Sequence, residues 1–102
     1  MSANEKVQAE VAALRRLTML RLLDDGGGVA NSAVIETGLR AYCVPGVDRA
    51  AVNADLRFLA AAGLLVGNEL RPDLIGVSLT DRGERAARGL ERVEGVARPS
   101  LD

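Results

Sequence analysis

Val52-Asn53-Ala54-Asp55-Leu56-Arg57-Phe58-Leu59-Ala60-Ala61-Ala62-Gly63-Leu64-Leu65-Val66 joins two kinds of periodicity. Val52, Leu56 and Leu59 recur at helical spacing on one side of a helical wheel, so they face a core. Gly63 stops that helix, because glycine takes the left-handed conformation that closes helices. Leu64-Leu65-Val66 follows as a short buried strand. Asp48 is placed to cap the helix, which is predicted to run to Ala62. Before it, Val44-Pro45-Gly46-Val47 reads as a tight turn: proline presets one backbone angle and glycine permits the next.

Outward from this stretch the other elements fall into place. Gly67 to Asp73 is a polar turn region, and Leu74-Ile75-Gly76-Val77-Ser78-Leu79 is a second strand. The two strands make a hairpin, with Gly76 a candidate bulge. Thr80 is placed to cap a last helix, with Asp81 favourable at its positive end. Ala86, Ala87, Leu90 and Val93 give that helix a thin apolar stripe, and Glu84 with Arg88 an i,i+4 pair. Upstream, Asn4 to Asp25 reads as a helix with an exposed start and a C-terminal half buried from Leu17 on. Gly26-Gly27-Gly28 reads as its flexible exit; no strand precedes these glycines and no Lys-Ser/Thr follows, so they do not make a phosphate loop. A further helix starts after Asn31 or Ser32 and is expected to bury Ile35, Leu39 and Tyr42, with Cys43 an apolar filler at its end.

The predicted order is helix, helix, tight turn, helix, two-stranded hairpin, helix. That is the winged helix-turn-helix arrangement: a mostly α fold with a three-helix core, a hairpin wing and a C-terminal helix. The expected division is a winged-helix domain over 1–94 and a flexible tail over 95–102. Leu17, Leu20, Ile35, Leu39, Val52, Leu56, Leu59, Leu64 and Leu79 are predicted to share one core.

Composition narrows the chemistry. The chain has 102 residues, 48% hydrophobic and 26% charged, which suits one globular domain and not two. With no histidine and one cysteine, it cannot build a Ser-His-Asp triad, a Cys-His dyad, a Cys/His zinc site or an internal disulfide. No carboxylate pair has the spacing or neighbours of an acid/base site, so no enzyme, cofactor or metal is expected. No apolar run is long enough to span a membrane, and Met1 to Glu10 lacks the apolar segment of a secretory signal. The expected location is cytoplasmic.

The two junctions, Leu56-x-x-Leu59-x-x-x-Gly63-Leu64-Leu65 and Leu79-Thr80-Asp81-Arg82-Gly83, resemble the corresponding junctions of bacterial winged-helix regulators. The whole chain is similar to a family of small uncharacterised winged-helix proteins of Mu-like phages and prophages, relatives of the ArsR-type regulators. The likeness is carried by Leu14 to Leu23, Val52 to Leu59, Leu79 to Gly83 and the basic, proline-bearing Gly95 to Ser100. It implies a phage-encoded winged helix. It does not bring metal sensing with it, since the clustered cysteines or histidines of sensing members are missing.

Double-stranded DNA is the expected partner. The helix face opposite Val52, Leu56 and Leu59 carries Ala50, Ala54, Arg57 and Ala61, with Arg49 and Asn53 on one flank. Arg57 is the candidate reader of guanine and Asn53 of adenine, the bidentate major-groove pairings; Arg49 and Arg71 are candidate phosphate contacts. Against this, the net charge is -1, and the hairpin tip with Glu69, Arg71 and Asp73 is itself net negative. The alternative is a non-enzymatic adaptor in phage morphogenesis or DNA packaging, holding another phage protein with the same fold. A homodimer is expected to use Val7 and Val11 with Ala86, Ala87, Leu90 and Val93. Asp55 is read as a structural partner for Arg16 or Arg21, and Phe58 as packing under the hairpin.

Overall fold

A computed structural model describes residues 2–99. Helix α1 (Ala3–Asp25) is followed by strand β1 (Val29–Asn31), helices α2 (Ser32–Ala41) and α3 (Arg49–Ala61), strands β2 (Leu65–Arg71) and β3 (Leu74–Leu79), and helix α4 (Asp81–Ala87). The strands form one antiparallel sheet in the order β1-β3-β2. Helices account for little more than half of the described residues, so the molecule is mixed α/β rather than mostly α.

Side-chain oxygens start all four helices, as residue types at those positions favour. Ser2, Asn31, Asp48 and Thr80 accept the backbone N–H three residues on. A single device ends them. In each, the third residue past the helix bonds back to the carbonyl five residues earlier: Gly28 to Leu23, Val44 to Leu39, Leu64 to Leu59 and Leu90 to Arg85. The left-handed position just before it is Gly27, Gly63 or Gly89 in three helices, and Cys43, at φ 56°, in the fourth. Cys43 is therefore an exposed helix-terminating residue and not an apolar filler.

The same closure corrects α4. The expected helix to Val93 stops at Ala87, because Gly89 closes it. The triple glycine is likewise no loose exit. Gly28 turns the chain into β1, which pairs Val29, Ala30 and Asn31 with Ser78, Val77 and Gly76 of β3. Three residues are too few to show a period, so sequence pattern alone found two strands and not three. β2 is longer than predicted and leaves a two-residue turn, Pro72-Asp73; its irregularity falls at Leu70, between Glu69 and Arg71, and not at Gly76.

The core joins the buried half of α1 (Leu17, Met19, Leu20, Leu23) to Ile35 and Leu39 of α2, Val52, Leu56 and Leu59 of α3, and Leu64, Leu65, Ile75 and Val77 of the hairpin. Leu79 is half-buried against it. Tyr42, expected in the core, is 67% exposed because the chain has already left α2 there. Ser32 is buried instead: its hydroxyl accepts the Ile75 N–H at 2.7 Å and ties α2 to β3. The segment Gly95–Pro99, expected to be loose, packs down. Val96 is buried, the Ala97 N–H donates to the Ala13 carbonyl, and Arg16 donates to the Gly95 carbonyl. Residues 100–102 of the expected tail lie outside the described residues. No helix of the described residues is long and apolar enough to cross a membrane.

Candidate nucleic-acid interface

Arg49, Asn53 and Arg57 stand four residues apart and so form one stripe along α3. The hairpin lies against that stripe. β2 leaves the C-terminal end of α3 and runs back beside it, so the Pro72-Asp73 turn arrives at the helix start. Arg57, Ala60, Gly67, Asn68 and Glu69 line the cleft between helix and strand. The face of α3 carrying Ala50, Ala54, Arg57 and Ala61 remains exposed.

The four expected DNA contacts meet different fates. Arg57 and Arg71 are exposed, and neither is in an ion pair among the described residues. Arg49 is half-buried: its Nε donates to Glu36 at 2.8 Å and its Nη1 to the Asp73 carbonyl at 3.2 Å. The hydrogen bond from Arg49, then that from Arg40 and the charges of both, hold the Glu36 carboxyl below the usual carboxylate range. Asn53 is 2% exposed and cannot touch a base in this form. Its Nδ2 donates to the Asp73 carboxylate at 3.0 Å and to the Asp73 carbonyl at 3.3 Å, while its Oδ1 is buried without a partner. Glu36 and Asp73 govern this surface; the sequence pattern gave Glu36 no role and marked Asp73 only as part of a net negative hairpin tip. Asp73 left one further trace: a residue after proline in a short turn, where a side chain has little to pack against.

The remaining singled-out residues are structural. Asp55 is buried and accepts from Arg16 at 3.0 Å, as expected, but its second partner is Arg15 and not Arg21. Phe58 does not pack under the hairpin; the Arg16 guanidinium lies 3.9 Å from its ring centroid. Glu84 and Arg88 pair as expected, and Arg88 also pairs with Asp24. Of the expected dimer residues, Ala86 and Ala87 are buried in the chain's own core and Val93 packs against it, so no surface strip exists on α4. Leu90 and Val7 are exposed, at 73% and 55%, and Val11 is half-buried.

These features define a small mixed α/β protein in which α3, with one face exposed, is flanked by a hairpin. Over 85 residues, 83% of this chain and 86% of the relative, the sequence is 39% identical to Uncharacterized protein gp26 of Escherichia phage Mu. The chain belongs to the family of that Mu protein, which is the phage relationship its motifs implied. No family model matches the chain, and no solved structure matches it.

Proposed function

We propose that the chain is a winged-helix domain, of the broad kind found in ArsR-type regulators, that binds double-stranded DNA in phage gene regulation or DNA handling. One observation carries the reading: α1-β1-α2-α3-β2-β3 with the sheet ordered β1-β3-β2 leaves α3 and the hairpin side by side at one surface. The small side chains of Ala50, Ala54 and Ala61 let α3 approach a groove floor, and Arg57 is the side chain free to read guanine there. Arg71 on the hairpin is free to meet a phosphate. Arg49 and Asn53 make no contact in the free form, because the protein already uses their donors. Selection of purified protein against random-sequence duplexes at low salt tests this. Enrichment of a shared site is expected, with discrimination lost in Arg57→Ala; no enrichment at all overturns the reading.

A second reading, the phage assembly or packaging adaptor, draws on the outer face of the sheet. Val29, Val66 and Leu70 stand there 70%, 63% and 54% exposed, more apolar surface than a three-stranded sheet needs to show. A failed selection favours it.

A further inference from the structure

We propose that the hairpin turn is a latch on the reading face of α3, in which Asp73 occupies donors of Asn53 and Arg49 until duplex DNA displaces it. This deepens the DNA-binding reading above and rests on it. The first ground is placement. A single residue meets two of the three side chains in the Arg49–Asn53–Arg57 stripe: its carbonyl accepts from Arg49 at 3.2 Å and from Asn53 at 3.3 Å, and its carboxylate accepts from Asn53 at 3.0 Å. A negative oxygen thus sits where the oxygens of a nucleic acid would otherwise sit.

The second ground is backbone cost. Asp73 follows Pro72 at φ 69°, in the half of a two-residue turn where glycine fits best. Glycine would supply the same carbonyl but no carboxylate, so what aspartate adds is the bond to Asn53. The third ground is Asn53 itself. It is 2% exposed, yet its Oδ1 has no partner. The latch uses its donor and leaves its acceptor idle, whereas adenine presents a donor and an acceptor matched to both. Release therefore offers the buried amide a fuller set of bonds than it has when closed. The fourth ground is the turn's freedom. β2 is exposed from Val66 to Arg71, and its ladder is interrupted at Leu70, two residues before the turn. The tip beyond this point can swing without opening the core, since Ile75, opposite Glu69, is held by Ser32 just below it and Leu65 and Val77 anchor the other end.

Removing any acid near DNA strengthens binding by charge alone, so the test compares two acids on the same hairpin. Duplex affinity at the selected site is measured for wild type, Asp73→Gly, Asp73→Asn and Glu69→Gln, each also in an Asn53→Ala background. The latch predicts a gain of about tenfold for Asp73→Gly, the low end of one bidentate base contact. It predicts about twofold or less for Glu69→Gln and for Asp73→Asn, which keeps an acceptor for Asn53. In the Asn53→Ala background the extra gain of Asp73→Gly disappears. Equal gains from Asp73→Gly and Glu69→Gln in both backgrounds overturn the latch and leave DNA binding standing. Absence of binding in every variant overturns both. If Asp73→Gly fails to fold, the Asn53 side-chain amide resonances of the wild type decide. Slow hydrogen exchange in the free protein and faster or shifted resonances on adding duplex support the latch; an unchanged amide in the bound protein overturns it.

Discussion

A methyl group at Gly83 would overlap the Leu64 carbonyl and crowd Leu79. Helix propensity alone favours alanine over glycine there by about 0.8–1 kcal/mol. The packing reverses that sign, since α4 starts pressed against the strand that follows α3. Gly83→Ala is therefore expected to lose about 1–3 kcal/mol in chemical denaturation, the usual cost of overfilling a packed site. A gain in stability would show that α4 sits farther from Leu64. The neighbouring residues show why this region was readable. Thr80 caps α4 and its hydroxyl also donates to the Gly63 carbonyl, so residue types with strong local preferences meet at one junction. Asp48, Asn31 and Gly63 were legible for the same reason: a cap or a terminator acts within a few residues. Asn53 was misread because its partner is twenty positions away and no local rule marks a polar side chain on a helix flank as buried. Asp55 was half-legible: a carboxylate beside the core stripe needs a cation, but α1 offers Arg15, Arg16 and Arg21, and spacing alone did not choose between them.

Helices α2 and α3 are held together by charge as well as by Ile35, Leu39 and Val52. Glu36 of α2 accepts from Arg40 of its own helix and from Arg49 at the start of α3. Arg49's hydrogen bond is the larger cause of the lowered Glu36 pKa, whose ordinary value is 4.5. A carboxylate with a lower pKa folded than unfolded binds protons more readily when unfolded. Its contribution is complete above the ordinary value and is lost as pH falls through the folded one. Denaturation midpoints of the wild type are thus expected to fall more steeply than those of Glu36→Gln between about pH 5 and pH 3. Parallel curves would mean that the Arg49 bond adds nothing to folding. At this scale the sequence announced α1, α2, α3 and the hairpin through periodicity and turn residues. It did not announce β1, whose three residues become a strand because β3 has a free edge to offer. Nor did it announce the early end of α4: the Ala86–Val93 stripe continued in register past Gly89, and the closing hydrogen bonds decided the boundary.

The molecule as a whole spends most of its positive charge on itself. Arg15, Arg16, Arg40, Arg49, Arg82, Arg85 and Arg88 are in ion pairs, which draw α1, α2, α3 and the segment after α4 together. The core and the order of the hairpin after α3 could be read from the amino acids; how the charges pair could not, because pairing depends on tertiary neighbours. The same economy bears on function. Counterion release scales with the number of phosphates neutralised, and the proposed interface offers Arg71 and Arg57 with few other cations. The most direct measurement is the salt dependence of affinity for the selected duplex, with Arg71→Ala alongside. Winged-helix binding through α3 and the hairpin predicts a shallow slope of log K against log salt, no steeper than about -2, that Arg71→Ala reduces in size by about one while leaving site preference intact. A slope unchanged by Arg71→Ala, or no measurable binding at the lowest salt, would contradict it.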